Sequence, residues 1–431
     1  MRYRIAAMLV LAAMLPRAAV GHADGGGEGF SSNIRALLFF EAQAPAHSTQ
    51  NPENAFLDLY RYSGEIDLRP DFFYDAEAVS ALFKPRFTSA YRWWRDGVPA
   101  GETDGQNRAF VNEWRVQAKP HPSLFLSFGK EKLLWGPSFL ASPSNILFKD
   151  TEKLNPKTEV EGAYLAKVLY LPTSALTLMA ISETQDDDAT APENEKPIRA
   201  LKADWVGSTV SVSLIGYFQQ DARFHLGSYG QWTASDALLL YYDGIVMRGT
   251  DALYPVTDPG QPLGGAFART QDGSSRIFAT VTAGGSYTFL SGSTLSLEFL
   301  YNNQGYGDAD ADTYYSLRRN ASDHYFDGGA MSGLSRQTLS ETLNTGLPFL
   351  RRSYMMGQYQ VREIANVLDV IVRYIHSLEE HAGLASSIVE WQLSDRMEFF
   401  NINSVAVSNG RETEFNSILA WSVMVGIELS W

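Results

Sequence analysis

The chain has 431 residues, no cysteine, 35 glycines, 13% aromatic residues and only 19% charged residues. Without cysteine there is no disulfide framework, zinc-thiolate site, iron–sulfur cluster or thiol nucleophile. A net charge of -14 argues against a nucleic-acid partner, and a mean hydropathy of -0.18 leaves no room for a bundle of membrane helices.

The chain opens with Arg2 and Arg4, followed by the apolar run IAAMLVLAAML from Ile5 to Leu15. That run is short for a bilayer span but has the length of a signal-peptide core. Pro16 ends it, and Gly21-His22-Ala23 offers small residues for cleavage. Residues 1–23 therefore read as a signal peptide, leaving 24–431 as the mature chain. No later window holds eighteen consecutive apolar residues. An exported chain of this kind is either a soluble envelope protein or an outer-membrane β-barrel.

Period-two alternation decides for the barrel. Phe83, Phe87, Tyr91 and Trp93 share a face opposite Lys84, Arg86, Thr88 and Arg92. Leu295, Leu297, Phe299 and Tyr301 alternate with Ser296, Glu298, Leu300 and Asn302, and Val389, Trp391 and Leu393 with Ile388, Glu390 and Gln392. Charged side chains opposite an apolar face would lose their hydration in a dry sandwich core, whereas a wet lumen keeps them solvated. The expected fold is all-β, an antiparallel up-and-down transmembrane barrel.

The pattern predicts eighteen strands, with sixteen as the fallback count. They fall near 31–41, 54–68, 79–94, 107–119, 122–134, 158–170, 174–183, 197–206 and 209–219. The second half continues near 222–230, 237–248, 275–290, 293–304, 352–362, 366–378, 383–393, 397–408 and 414–431. The long connections 135–157, 184–196, 249–274 and 305–351 all follow odd-numbered strands, so they share one end of the barrel. Short periplasmic turns and long outer loops are the rule in such barrels. Segment 305–351 contains the helix-like SRQTLSETLN from Ser335 to Asn344. Two placements are open for it: folded into the lumen as a pore constriction, or lying outside as a lid.

Residues GKEKLLWGPSFLASPSN from Gly129, with KLNPKTEVEGAYLAKVLYLP from Lys153 to Pro172, resemble a large, poorly characterised family of Gram-negative outer-membrane barrels. They are similar, more loosely, to porins and to the alginate-export type of barrel. The resemblance implies an envelope location and the diffusion or export of small or polymeric solutes. It transfers no catalytic residue. The last strand alternates Val423, Val425, Ile427, Leu429 and Trp431 with Met424, Gly426, Glu428 and Ser430. This ending resembles the C-terminal signal of outer-membrane barrels, which implies that Ile427, Leu429 and Trp431 address the barrel-assembly machinery.

By alternation the lumen face carries Arg61, Glu65, Asp67, Lys84, Arg86, Arg92, Glu113, Arg115, Asp369, Arg373, Glu390 and Glu428. Bases gather on strands two to four and acids mainly on later strands, so a basic wall facing an acidic wall is one reading. Mutual charge pairing that fills the lumen is the other. Asp186, Asp187 and Asp188 in one outer loop, and Asp308, Asp310 and Asp312 in another, are either solvated loops or weak divalent-cation sites. His376 beside Ser377, Glu379 and Glu380 is the nearest approach to a hydrolase constellation, but no nucleophile elbow or HExxH pair is present. No enzyme activity and no cofactor are expected.

The function expected from the sequence is a porin-like channel in the outer membrane of a Gram-negative bacterium, passing small hydrophilic solutes by passive diffusion. The alternatives are a polysaccharide export or surface-assembly barrel and an outer-membrane hydrolase. Partners are small solutes, outer-membrane lipid and lipopolysaccharide; a homo-oligomer is open.

Overall fold

The computed structural model describes residues 29–148, 155–184, 197–218, 224–269 and 276–431. The signal peptide expected at 1–23 and the acidic cluster at Asp186, Asp187 and Asp188 lie outside the described residues.

The first nine strands are β1 (Gly29–Pro45), β2 (Tyr62–Asp75), β3 (Val79–Trp93), β4 (Thr103–His121), β5 (Leu124–Glu131), β6 (Ala163–Tyr170), β7 (Leu176–Glu183), β8 (Arg199–Val206) and β9 (Val210–Phe218). Next come β10 (Phe224–Thr233), β11 (Leu238–Arg248), the short hairpin β12 (Leu253–Thr257) and β13 (Gly265–Arg269), then β14 (Ile277–Thr288) and β15 (Thr294–Asn302). Two helices follow, α1 (Asp308–Asp323) and α2 (Gly329–Leu343). The chain closes with β16 (Ser353–Ile364), β17 (Leu368–Ser377), β18 (Ala382–Ser394), β19 (Met397–Val407) and β20 (Leu419–Ser430).

All but β12 and β13 form one 18-stranded antiparallel sheet in which each strand pairs with its neighbour in sequence. The sheet closes on itself because β1 pairs with both β2 and β20, Arg35 lying opposite Arg69 on one side and Ser430 on the other. Closure removes the sheet edges, whose open N–H and C=O groups could not stand in hydrocarbon. Connections 76–78, 122–123, 207–209, 365–367 and 395–396 are tight turns at the end that also holds both ends of the barrel sheet. Among the described residues, segments 46–61, 249–269 and 303–352, and the ends of 132–148 and 155–162 that join their strands, lie at the other end, as loop parity requires.

The outer wall is an apolar band: Leu38, Phe87, Leu126, Val168, Leu201, Leu214, Leu297, Val372 and Val405 all stand exposed on it. Tyr74, Tyr170, Trp205, Trp232, Tyr287 and Trp391 ring the tight-turn end, and Phe40, Phe218, Phe224, Tyr301 and Tyr374 the opposite end. Two aromatic girdles around an apolar band are what a barrel needs at the two membrane interfaces.

Every predicted strand has its counterpart, with three displaced starts, the last strand beginning at Leu419 rather than 414. The second strand runs Tyr62–Asp75 rather than 54–68. Segment 51–59 is a turn held by side-chain amides: Asn51 Oδ1 accepts the N–H groups of Phe56 and Leu57, and Asn54 Oδ1 that of Leu59. β2 runs on through Pro70 because the β2–β3 ladder has a gap there, passing from Leu68–Phe87 to Phe72–Phe83. Pro70 and Pro85 both fall in that gap, where the missing N–H groups cost no ladder bond. β6 starts at Ala163 rather than 158, leaving 155–162 to the preceding loop.

Segment 305–351 forms the two helices over the outer connections. Gln50 donates to the Leu339 carbonyl, Arg318 of α1 reaches Thr49 and Glu412, and Asn320 donates to the Leu263 carbonyl. α1 is a correction to the loop expected at 305–334. Tyr314, Leu317, Arg318 and Ala321 make its buried face. Asp308 and Asp310 occupy its first turn, where carboxylates favourably meet the helix dipole. Asp308, Asp310 and Asp312 are therefore part of a helix start rather than a cation loop, and Asp308 accepts from Arg351 at 2.5 Å. Among the described residues no three His, Asp or Glu groups gather in a way that could hold a metal ion.

Leu297 stands in the middle of β15 on the lipid-facing row, 55% exposed. Leu297→Arg should lower barrel stability by ~2–4 kcal/mol, measured by equilibrium urea unfolding in lipid bilayers.

Candidate functional site: the barrel interior

The barrel interior holds the described parts of the connection between β5 and β6, residues 132–148 and 155–162. Its outgoing limb is tied to the far wall by two buried carboxylates. Glu298 on β15, 2% exposed, accepts the backbone N–H groups of Phe139 (2.7 Å) and Leu140 (2.8 Å) and the Tyr241 hydroxyl (2.8 Å). Asp243 on β11, fully buried, accepts Ser142 Oγ at 2.7 Å and the Ser144 N–H at 2.8 Å. Gly136 passes so close that a Cβ there would lie 2.0 Å from Asp243 Oδ2, and its φ of +91° suits only glycine.

Apolar contacts complete the seat. Leu140 packs with Leu300, Tyr354, Met356 and Ile375, while Ile146 and Leu147 pack on Leu165, Ile181, Ala200 and Ile215. The Tyr217 hydroxyl donates to the Ser144 carbonyl. Residues 136–147 thus lie inside the barrel rather than projecting from the rim.

The returning limb, 155–161, meets strands β1–β3 and β18–β20. Arg86 binds Glu159 through Nε (2.5 Å) and Nη2 (3.1 Å), in the two-pronged manner that suits guanidinium to carboxylate. Arg35 reaches Glu159 at 3.2 Å and Asn112 donates to it at 3.2 Å. Arg86 also contacts Asp71 at 2.9 Å and donates to the Pro70 and Pro85 carbonyls, filling the gap in the ladder. Burial works against the Glu159 charge, but the Arg86 hydrogen bonds and the Arg69 and Arg86 charges outweigh it and hold the carboxyl at about 2.

Two residues before it, Lys157 sits among Glu390 (3.0 Å), Glu398 (2.5 Å) and Glu428 (3.1 Å), one from each of β18, β19 and β20. Its ammonium also lies 5.2 Å from the Phe400 ring centroid. Arg69 donates to the Lys157 carbonyl at 2.6 Å, so the backbone is pinned independently of the side chain.

The lumen residues expected from alternation take several different places. Arg86 and Glu390 join the network just described. Lys84 pairs with Glu113 at 2.9 Å, and Arg115 lies 3.7 Å from Glu131, which Lys167 also holds at 2.7 Å. Arg373, 3% exposed, donates to Gln358 at 2.8 and 2.6 Å. Asp369 instead accepts the Glu363 N–H near a tight turn. Arg61 precedes β2 and stacks over Trp421, and Arg92 lies 5.4 Å over the Tyr60 ring.

A basic wall opposed to an acidic wall is not what these positions build. Charges of both signs interleave, and Arg35, Arg69 and Arg86 face Asp71 and Glu159 directly. The sequence reading also omits Arg35, Arg69, Lys157, Glu159, Asp243, Glu298 and Glu398. Arg69 shares the alternation of Glu65 and Asp67 but lies beyond the strand end expected at 68. Glu298 is visible as an inward position. Lys157 and Glu159 leave no signal, since a loop has no period.

The histidine constellation does not assemble. His376 shares the outward row with Val372 and Tyr374, whose hydroxyl lies 3.2 Å from its Nδ1, while Ser377 points inward and is fully buried. Trp431 closes the barrel seam, exchanging backbone hydrogen bonds with Ile34 at 2.9 and 3.1 Å.

A second carboxylate pair lies under the helical cap. The Tyr315 hydroxyl donates to Glu380, the Tyr354 hydroxyl to Glu414, and the Glu414 N–H to Glu380 at 3.2 Å. Burial and then the neighbouring Glu380 charge push the Glu414 carboxyl up to about 8, despite the donors from Tyr354 and Leu350 and the Arg351 charge. Burial raises Glu380 as well, against Tyr315, Arg351 and Arg318.

Two outcomes follow for variants of these anchors. Glu298→Ala removes three donors' common acceptor, each bond to a charged group being worth about 1.5–3 kcal/mol; protease cleavage within 132–162 should rise while the barrel stays folded. Between about 4.5 and about 8 the folded protein keeps a Glu414 proton that the unfolded chain has lost. Stability should therefore fall as pH rises through that window and level above it, and Glu414→Gln should flatten the slope in thermal unfolding.

No protein-family model matches the sequence, and no curated protein matches it. Solved structures do. OccAB1 of Acinetobacter baumannii is 12% identical with a TM-score of 0.53, over 96% of this chain and 99% of that one. OccK7 (OpdD) of Pseudomonas aeruginosa is 11% identical with a TM-score of 0.53, over 93% and 98%. The outer membrane protein OprD of Pseudomonas aeruginosa is 11% identical with a TM-score of 0.50, over 93% and 94%. The chain has the closed eighteen-stranded barrel fold of these outer-membrane proteins.

Proposed function

We propose that this protein is an outer-membrane channel through which small hydrophilic solutes diffuse passively. The observation that carries the reading is the pair of segments 132–148 and 155–162, seated inside the barrel and held by Asp243 and Glu298 on one wall and by Arg86 on another. A segment so fixed narrows a wide barrel. The inner wall it leaves is lined by charged and amide side chains, which keep water in a lumen of this kind. The pore-lining set is then Lys84, Arg115 and Glu390 together with Arg35, Lys157 and Glu159, with Arg61 and Arg92 at the outer mouth, while Arg69, Arg86, Glu113 and Arg373 are buried behind it and hold the lining in place.

The fold shared with OccAB1, OccK7 and the outer membrane protein OprD supports the same reading. So do the signal-like residues 1–23 and the aromatic end at Trp431, which fit export and delivery to the barrel-assembly machinery. The apolar outer wall meets outer-membrane lipid, and lipopolysaccharide in the outer leaflet.

Planar-bilayer recording of the refolded mature chain in simple salt tests the proposal. Stable open steps are expected, and deletion of 137–148 should enlarge them. A silent bilayer from protein verified as inserted and folded would overturn it.

A further inference from the structure

Glu390, Glu398 and Glu428 stand on three adjacent strands, and each keeps part of its side chain open to the interior: 25%, 26% and 16% exposed. Their common partner is a primary ammonium group. Lys157 Nζ lies within 3.1 Å of all three and over the face of the fully buried Phe400 ring. Three carboxylates about one cation, with an aromatic face behind it, is the chemistry that recognises an alkylammonium ion.

The occupant is replaceable. The Lys157 backbone is fixed by Arg69 at its carbonyl, and Glu159, two residues on, is gripped by Arg86. The side chain can therefore swing away by rotation about its own bonds while loop 132–162 keeps its course. Against three carboxylates, one lysine leaves the site net negative, with Arg35 a further 3.7 Å from Glu428. The guanidinium groups that would attract an anion here, Arg35, Arg69 and Arg86, already face Glu159.

We infer that the Glu390–Glu398–Glu428–Phe400 pocket is a binding site for alkylammonium solutes, such as linear diamines, and that Lys157 is its tethered occupant. An entering ammonium group takes the place of the lysine, which makes Lys157 a specificity-determining residue of the interior. The inference deepens the channel reading and rests on it only for the route by which solute arrives.

The test is titration calorimetry of the refolded full mature chain in detergent with 1,5-diaminopentane, beside the bilayer recording. Lys157→Gln should bind the diamine about tenfold more tightly than the unsubstituted chain, the scale of one charged hydrogen bond. Glu398→Gln/Glu428→Gln in that background should lose the binding, and succinate should not bind in any of the three. In the bilayer, Lys157→Gln should move the reversal potential toward cation preference, with diamine block at correspondingly lower concentration. Equal diamine affinity with and without Lys157, or binding that survives the double glutamine change, would overturn the inference. A silent bilayer with the calorimetric pattern intact would instead remove the channel reading and leave the site standing.

Discussion

An open sheet edge cannot stand in hydrocarbon, so the meeting of β1 with β20 is the constraint on which the rest of this molecule depends. The seam joins Arg35 to Ser430 and Ile34 to Trp431, and through it every strand is held between two neighbours. Closure also fixes which side chains face in. Once Leu38 and Phe40 point to lipid, Arg35, Leu37 and Phe39 must point inward, and the same parity passes from strand to strand around the barrel.

A ring of eighteen strands encloses more space than its own inward side chains fill. Here the chain fills part of it with a segment of itself. Loop 132–162 brings its own charges, and the wall presents their complements: Arg86 for Glu159, and Glu390, Glu398 and Glu428 for Lys157. Such pairs offset the loss of hydration only when geometry and hydrogen bonding are good. Arg86 meets that condition with five donations or contacts, two of them to carbonyls freed by Pro70 and Pro85. The ladder gap between the two prolines and the loop inside the barrel are thus parts of one arrangement.

At the outer end the logic changes from charge to packing. Helices α1 and α2, the β12–β13 hairpin and segments 46–61 and 408–418 bury tyrosines against one another, with Tyr306 and Tyr314 at the centre. Arg318 lies fully buried there between Tyr315 and Glu412. The cap is built over the rim and the interior loop lies within the barrel, and the two meet where Leu140, Phe349 and Phe415 pack around Tyr354.

The sequence by itself determined the strands, their order, the end at which the long connections lie and the inward row of several strands. These follow from a two-residue period that local backbone geometry imposes and lipid reinforces, so Lys84, Arg86, Glu113 and Glu390 were legible as inward residues. What only the tertiary structure decided is which connection enters the barrel and which charges meet. Loop 132–162 has no period, and the partners of Lys157 lie more than 230 residues away along the chain. Segment 305–351, the longer and more conspicuous loop, instead folded on its neighbours, α1 burying Ala311, Tyr314, Leu317 and Ala321 and α2 burying Leu339 among Ser335, Thr338 and Thr342. Alternation assigns a side chain to a face; only closure of the barrel brings opposite walls within reach of one loop.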